Sequence, residues 1–422
     1  MSKNPKSKFR GNIFIKMTSV RKYILENWKH TIRNPWEKGQ GMITLPKPFS
    51  SPSIEALFAD FYYWDTYFIN VGLLADGFKE QAKNNLDNIA FFIKHMGYMP
   101  NASHLHYSSQ PPLFTRAVYD YYAYTKDVNI LKEYLPAMLL EYEFFMNDRI
   151  TDVGLNQYGC VHFIKSQLDE HYKYFSQRVG IEKETREEQY EFVKNMFAVA
   201  ESGWDCSPRF DTKVKRFAMD EYLPIDLNCL LYDIERKISD IYAIFGEKEN
   251  SKKFAEYAQK RKLLISRYML TENGIYQDYN FVNNTHSKVI SVASFYPYLV
   301  GLSNDKDVLN KLLEKLELDY GISACEYQEN KEYLQWDYPI MWAPLTYFVY
   351  EALMCNDMEQ EARRIAMKYM QTVERTFDKT GIVWEKYNAK TGEVGDTRES
   401  GKNPMLGWSA GIYEYFSGQL KD

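Results

Sequence analysis

Residues 64–95 read WDTYFINVGLLADGFKEQAKNNLDNIAFFIKH, and this stretch sets the fold class of the chain. Apolar side chains recur at helical spacing on both sides of Asp76-Gly77, a turn signal. The pattern predicts helices over 64–77 and 79–95. A link this short places the two helices side by side and antiparallel, so the unit is a helical hairpin.

The same pairing recurs along the 422 residues. Helical periodicity predicts further helices at 17–33, 112–126, 128–147, 225–246, 249–270, 294–302, 305–317, 341–355, 358–376 and 408–419. Roughly six hairpins with short links suit either an α-solenoid or a closed ring of helical hairpins. No sequence repeat of fixed period is visible, which disfavours the solenoid families.

Strand signals are few. Turn clusters bracket a short alternating run at 378–393, and 271–290 has a similar pattern, so both predict small β-hairpin arms. No linker rich in Pro, Gly or Ser divides the chain, which favours one domain over 1–422. The charged, helical segment 165–198 has the length of an insertion and is predicted to be a lid over a cleft.

Composition excludes several classes of protein. Lys and Arg number 52 and Asp and Glu 57, a net charge of −5 without a long basic run, which argues against nucleic acid or anionic membrane as a partner. No window approaches 18 unbroken apolar residues, and the N-terminus lacks a signal-peptide pattern. Five widely spaced cysteines without a C-x-x-C predict reduced thiols in a cytoplasmic protein rather than disulfides or a zinc site.

Aromatic residues are abundant, with 35 Tyr, 25 Phe and 8 Trp. Six short segments combine aromatic residues with carboxylates or amides and helix breakers: Tyr63-Trp64-Asp65, Asn101 with Ser109-Gln110-Pro111-Pro112, Glu201-Ser202-Gly203-Trp204-Asp205, Gln335-Trp336-Asp337-Tyr338-Pro339, Trp384-Glu385-Lys386-Tyr387 and Gly407-Trp408-Ser409. Indole and phenol rings stack on the C–H faces of a sugar, while carboxylates and amides bind its hydroxyls. These segments therefore suit a sugar-binding cleft, although core packing would explain any one tryptophan.

Glycoside hydrolysis needs two carboxyl groups, one of them protonated. Asp205 follows a Gly turn and an indole, a setting that raises a carboxyl pKa, or else it caps a helix from Ser207. Glu385 lies on the predicted strand, as an aimed base or as a surface partner of Lys386. Asp65 and Asp337 each follow a Trp, and hydroxyl binding and helix capping are equally open for them.

Metal chemistry has little support in the sequence. His104 and His106 have the i, i+2 spacing of a strand, but a third ligand is missing, so no metal site is predicted. No Walker loop, G-x-G-x-x-G, G-x-S-x-G or H-E-x-x-H occurs, and no cofactor is predicted.

Taken together, the segments resemble the trehalases, glycoside hydrolase family 37. The two signature regions correspond to FYYWDTYF at 61–68 and QWDYPIMWAP at 335–344; SQPP at 109–112, SGWD at 202–205, EKY at 385–387 and GWSAG at 407–411 follow the family's order. The resemblance implies an all-α (α/α)6 toroid, an inverting mechanism and no cofactor. It implies Asp205 as the acid and Glu385 as the base, with an expected carboxyl separation of about 6.5–9.5 Å.

The resemblance also implies a substrate site. Its glucose-binding positions correspond to Trp64, Asp65, Asn101, Gln110, Gly203 and Glu399. The expected pocket has Trp64, Trp204, Trp336 and Trp408 as its walls, and Asp65, Asn101, Gln110 and Asp337 as hydroxyl ligands.

Two departures from the family concern the leaving-group side. Leu57 and Ser108 stand where trehalases carry arginines, whose planar forks clamp sugar hydroxyls. A third arginine, from the lid, corresponds to Arg178 or Arg186. The compact length is closer to family 63 enzymes that cleave glucosyl- or mannosylglycerate.

The predicted function is therefore inverting hydrolysis of a small α-glucoside, trehalose or a related disaccharide. Three alternatives stay open: a glycosylglycerate hydrolase, a non-catalytic sugar-binding toroid and an inverting phosphorylase.

Overall fold

The structure, a computed structural model, describes residues 17–35, 44–55, 58–161, 165–211, 217–329, 333–398 and 401–420. Within these ranges the helices are α1 (Ser19–Thr31), α2 (Tyr63–Ala75), α3 (Lys79–Met96), α4 (Phe114–Thr125), α5 (Asn129–Asp148), α6 (Leu168–Val179), α7 (Arg186–Glu201), α8 (Ile225–Ile244), α9 (Lys248–Tyr268), α10 (Tyr296–Leu299), α11 (Lys306–Leu316), α12 (Ala343–Cys355), α13 (Glu359–Thr380) and α14 (Gly407–Gln419). The predicted hairpins are confirmed, mostly to within a few residues. The exception is α10, where a 3-10 turn replaces the first part of the helix predicted at 294–302.

Six helices form a closed inner ring. Each of α2, α4, α8, α10, α12 and α14 contacts the next, and α14 contacts α2. The helices α1, α3, α5, α9, α11 and α13 alternate with them in sequence. Inner helices are buried on nearly every face, as α2 and α12 are, whereas α9 buries only one stripe. The predicted (α/α)6 toroid is confirmed, and the solenoid alternative is wrong.

The pair α6 and α7 stands outside this alternation, between α5 and α8. The two helices pack on each other, and a capping box of Thr185 and Glu188 starts α7. This pair lies largely within the segment 165–198.

Short strands connect the helices in the described part of the chain: β1 (Ile32–Arg33), β2 (Phe49–Ser50), β3 (Tyr222–Leu223), β4 (Tyr279–Asn280), β5 (Thr285–His286), β6 (Glu317–Leu318), β7 (Gly321–Ile322), β8 (Ile340–Trp342) and β9 (Lys386–Asn388). The hairpin predicted at 271–290 is present as β4 and β5, with β3 added at its edge.

The arm predicted at 378–393 is present only in part. The helix α13 continues to Thr380, and β9 pairs antiparallel with the distant β8, while one bridge joins Tyr387 to Val394 across the expected turn. Alternation of side chains identifies a strand but not its partner, and here the partner is the strand that directly precedes α12.

Two further observations concern membranes and metals. None of the helices in the described ranges combines the length and the apolar character that crossing a bilayer requires. In the same ranges, no three His, Cys, Asp or Glu side chains lie together as metal ligands. His104 faces Asp60 at 3.2 Å, and His106 bonds to the Ser103 carbonyl.

The ring closes where α2 crosses α14 at two glycines. A Cβ on Gly72 would overlap the Cα of Gly411, with the Gly411 carbonyl carbon and oxygen at 3.0 Å. A Cβ on Gly411 would in turn overlap the Phe68 carbonyl oxygen. Since backbone cannot yield as a flexible side chain does, both positions need glycine.

We expect Gly72→Ala to lower the free energy of unfolding by at least about 2 kcal/mol, because the added methyl forces the two helices apart. Gly418→Ala, also in α14, is the matched control: no atom of the described residues lies within 4 Å of its Cβ, so it should be neutral or slightly stabilising. Urea denaturation of both variants measures the difference. Equal stability of the two would contradict the proposed closure.

Candidate active site

Five tryptophans form one buried cluster beside the ends of α2 and α14. Trp336 is its centre: it stacks on Trp342 with ring centroids 3.9 Å apart and an interplanar angle of 4°. Its centroid lies 5.7 Å from Trp204, 6.3 Å from Trp408 and 6.5 Å from Trp64. The four tryptophans predicted as walls are thus together, and Trp342, which sequence reasoning missed, lies beneath them.

Asp205 lies at the edge of this cluster, after a tight turn. Gly203 has a φ of +72°, and a Cβ there would lie 3.3 Å from the Trp64 ring. The Trp336 amide donates to the Cys206 carbonyl at 3.3 Å, which ties the turn to the cluster. The Asp205 side chain is 31% exposed, so it opens toward solvent rather than into the core.

An arginine from α6 reaches Asp205. Arg178 Nη2 donates to Asp205 Oδ2 at 2.9 Å and to Gln335 Oε1 at 2.8 Å. The other candidate, Arg186, pairs instead with the exposed Asp169 on the surface. No basic residue adjoins Asp205 in the sequence. In the folded chain, α6 brings the guanidinium of Arg178 to it.

The sequence pattern placed Glu385 on a strand, but the observed strand β9 begins one residue later, at Lys386. It is buried, and its Oε2 accepts from Lys386 Nζ at 2.6 Å and from Asn403 Nδ2 at 3.1 Å. Its backbone carbonyl accepts from Trp408 Nε1 at 2.8 Å and from Ser409 Oγ at 3.3 Å. The Lys386 pairing foreseen from the sequence therefore exists, but inside the protein rather than on its surface.

Asp65 is a buried carboxyl in the first turn of α2. Its pKa is raised to about 8: burial is the largest cause, a backbone hydrogen bond partly opposes it, and the negative charge of Glu385 adds to the rise. Two carboxyl groups thus act on each other across the site. Lys386 and Asn403 donate to Glu385, whereas no cation among the described residues pairs with Asp65.

The amide side chains lie beside the same cluster. Gln110 Oε1 accepts from the Trp64 amide at 2.7 Å. Asn101 Nδ2 donates weakly to the Ala200 carbonyl at 3.4 Å, and the backbone carbonyl of Asn101 accepts from the Tyr63 amide. Both side chains are buried close to Trp64 and the turn before Asp205.

Asp337 binds backbone amides of its own loop and caps no helix among the described residues. Its Oδ1 accepts from the Tyr338 amide at 2.7 Å and its Oδ2 from the Leu334 amide at 3.2 Å. These bonds hold the loop around Trp336. Glu399 and Leu57 lie outside the described residues.

Glu201 was missed, although it precedes Ser202-Gly203-Trp204 in the sequence. It is fully buried, pairs with Arg149 at 2.7 Å and 2.9 Å, and accepts from the Ser109 amide at 2.9 Å. It thereby joins the loop of Gln110 to the turn of Asp205. The sequence indicates this anchor only by a Glu close to a Gly turn, and its burial is visible only in the structure.

Comparison with known proteins identifies the family of the chain. The Trehalase family model matches residues 6–420, and the chain belongs to that family. The protein is therefore a glycoside hydrolase of trehalase-like type, and its substrate is a carbohydrate.

Solved structures share the fold. Neutral trehalase Nth1 from Saccharomyces cerevisiae is similar at 24% identity and a TM-score of 0.73, over 89% of this chain and 74% of that one. A GH63 mannosylglycerate hydrolase from Thermus thermophilus, solved with glucose, is similar at 16% identity and a TM-score of 0.64, over 94% of this chain and 99% of that one. At these identities the two likenesses establish the (α/α)6 architecture alone.

Asp65 generates a test of the site's electrostatics. Because its pKa is raised from 3.8 to about 8, the folded protein keeps a proton that the unfolded chain releases, so this group lowers stability as pH rises from about 4 to 8. Asp65→Asn removes that titration. We expect the variant to gain roughly 1–3 kcal/mol over wild type at pH 8 and little at pH 4.5, measured by chemical denaturation.

Asp337→Asn is the matched comparison, because it loses charge where two amides donate. It should be destabilised by about 1–2 kcal/mol at pH 8. If both variants change stability in the same direction at that pH, the uncompensated burial of Asp65 is refuted.

Proposed function

We propose that this protein is an inverting α-glycosidase that hydrolyses a small α-glucoside, with Asp205 as the acid and Glu385 as the base. The observation that carries the proposal is that Asp205 and Glu385 are both joined to the tryptophan cluster around Trp336. Trp204, next to Asp205, contacts Trp336, and so does Trp408, which donates to the Glu385 carbonyl.

Among the described residues, hydrogen-bond donors bind only one of the two carboxylate oxygens of the proposed base. Lys386 and Asn403 both donate to Glu385 Oε2, which fixes the orientation of the carboxylate. Oε1 is left to take a proton from the attacking water. The water oxygen bonds to the anomeric carbon on the face opposite the leaving group, so the configuration inverts.

The proposed acid must be protonated when the glycosidic C–O bond breaks, because its proton goes to the departing oxygen. Arg178 donates to Asp205 Oδ2 and so occupies an oxygen that could carry this proton. We therefore propose that Arg178 turns from Asp205 to the substrate's hydroxyls on binding. It then pairs with the Asp205 carboxylate again after proton transfer.

Sugar binding would use the groups around the cluster. The indole N–H groups of Trp64 and Trp204 are buried without a hydrogen-bond partner among the described residues, which costs about 1–3 kcal/mol each. A sugar hydroxyl that accepts from them would recover part of this cost. Asp65, Asn101 and Gln110 would take the remaining hydroxyls, and Glu399 stays a predicted contact.

The pair α6 and α7 is the proposed lid, since it carries Arg178 into the site. Near the C-terminus of α6, a Cβ on Gly180 would lie 2.8 Å from Arg398 Nη2, so this segment also approaches the loop near Asn403. We expect trehalose to be a poorer substrate for this protein than it is for trehalases with both arginines, because Leu57 and Ser108 cannot clamp hydroxyls as arginines do. The cytoplasmic location also stays a prediction.

The direct test is a panel of α-disaccharides and glycosylglycerates, with NMR of the first-formed anomer. Asp205→Asn and Glu385→Gln should each lower kcat by about 10²–10⁴-fold, while the exposed controls Asp152→Asn and Glu272→Gln keep full activity. Wild type should release the inverted anomer. The retained anomer would remove Glu385 from its role, and sugar release that needs added phosphate would indicate phosphorolysis.

Lys386 generates a second test. With Lys386→Met, Glu385 Oε2 loses the buried donor that holds the carboxylate in place, so kcat should fall by about 10²-fold while the folded fraction is kept. Lys390→Met, an exposed change two residues beyond Asn388, is the control. A loss of activity that only follows a loss of folded protein, measured by circular dichroism, would mean that Lys386 acts on folding alone.

A further inference from the structure

The turn that carries Asp205 has two residues in the left-handed region of the backbone. Gly203 has a φ of +72° and Cys206 a φ of +54°. Glycine adopts this conformation at little cost, whereas a residue with a side chain keeps it only where its surroundings hold it. Contacts therefore hold the turn of residues 202–206 in place, and its middle residue is the fully buried Trp204.

Arg209 packs on the ring of Trp204. The central carbon of its guanidinium lies 4.3 Å from the centroid of the indole, within the range of a cation–π contact. Trp336 contacts the same indole, with 5.7 Å between the ring centroids. The position of the indole thus depends on a buried cation as well as on the tryptophan cluster.

Two carboxylates fix the plane of that guanidinium. Arg209 Nη1 and Nη2 donate to Asp226 at 3.0 Å and 2.9 Å, and Nε and Nη2 donate to Asp278 at 3.0 Å and 2.8 Å. Asp226 lies in the first turn of α8, and Asp278 accepts from the Ile225 amide at the start of that helix. A planar fork bonded in this way resists tilting, and the ammonium group of lysine cannot replace it. The start of α8 therefore fixes the guanidinium, and through it Trp204.

We propose that Arg209 is a positioning residue for the acid, which keeps Asp205 aimed at the glycosidic oxygen by holding Trp204 in place. This inference rests on the proposed function, because it gives Arg209 a part in the proton transfer assigned to Asp205. Proton transfer requires the acid to stay within hydrogen-bond reach of the departing oxygen, and a displacement of about 1 Å can lower the rate by about 10²-fold.

The leaving group provides a readout that a merely structural role would not move. When the C–O bond of an oxygen-linked substrate breaks, the departing oxygen takes the Asp205 proton. When the C–F bond of α-D-glucosyl fluoride breaks, fluoride leaves as an anion and needs no proton. A misplaced acid therefore slows hydrolysis of the oxygen-linked substrate and spares the fluoride, whereas partial unfolding slows both equally.

The experiment measures kcat and KM of wild type and Arg209→Lys on α-D-glucosyl fluoride and on trehalose, maltose and glucosylglycerate. Lysine keeps the positive charge beside Asp226 and Asp278 but not the planar fork. We expect kcat on the fastest oxygen-linked substrate to fall by about 30- to 100-fold, while kcat on the fluoride and both KM values stay within about threefold. Asp205→Asn should show the same difference between substrates, with a larger loss.

Two variants test the route through the indole. Trp204→Phe changes the other side of the contact, so adding Arg209→Lys to it should lower kcat on the oxygen-linked substrate by less than about threefold more. Asp278→Asn keeps an oxygen for Arg209 but removes a charge, and it should show a smaller loss that again spares the fluoride. The test therefore does not depend on the folding of one variant.

Arg261→Lys is the matched control. It makes the same change at a buried arginine of α9, whose hydrogen bonds go to Glu235, Asn156 and Asn228. The ratio of its rates on the oxygen-linked substrate and the fluoride should equal that of wild type. Urea denaturation of both arginine variants shows that the protein assayed is folded.

Three outcomes would overturn the positioning role alone: equal losses on both kinds of substrate in Arg209→Lys, the same ratio of rates in Arg209→Lys and Arg261→Lys, or a full additional loss when Arg209→Lys is added to Trp204→Phe. Each would leave the proposed hydrolysis in place. Wild type that releases sugar from none of the oxygen-linked substrates would instead refute the proposed function, and the role of Arg209 with it.

Discussion

The close approach of α2 and α14 at Gly72 and Gly411 is the constraint on which the site depends. It joins the first inner helix to the last and closes the ring. It also sets how near Trp64 and Asp65, at the start of α2, lie to Trp408, at the start of α14. A wider crossing would separate Asp65 from Glu385 and open the tryptophan cluster. Asp65 is in the first turn of α2, and the backbone carbonyl of Glu385 is hydrogen-bonded to Trp408 and Ser409 at the start of α14.

Buried charged side chains around the site are bound to side chains of opposite charge. Arg209 lies fully buried over the Trp204 ring at 4.3 Å and bonds to both Asp226 and Asp278. Glu201 is likewise buried and paired with Arg149, and it accepts from the Ser109 amide in the loop of Gln110. Buried charges are costly unless paired, so these networks specify one arrangement of the loops. Asp65 has no such cation within the described ranges, and an uncompensated carboxyl beside another carboxyl is typical of a functional site.

Helical pairing could be predicted because each hairpin shows its buried stripe in local sequence. The pairing of β9 with β8 could not, because a three-residue strand carries no information about a partner some forty residues away. Asp337 shows a related limit. Its residue type and its neighbour Trp336 suit hydroxyl binding, but its oxygens accept from amides of its own loop, and only loop geometry decides between these uses.

The sequence by itself determined the class of fold, the family and the residue types of the pocket, since periodicity and short motifs are local properties. Tertiary structure alone decided that Arg178 pairs with Asp205, that Lys386 and Asn403 share one oxygen of Glu385, and that Asp65 is buried against it. Desolvation and charge pairing depend on which distant segments exclude water together. No local pattern contains that, so the electrostatics of this site follow from the closed ring.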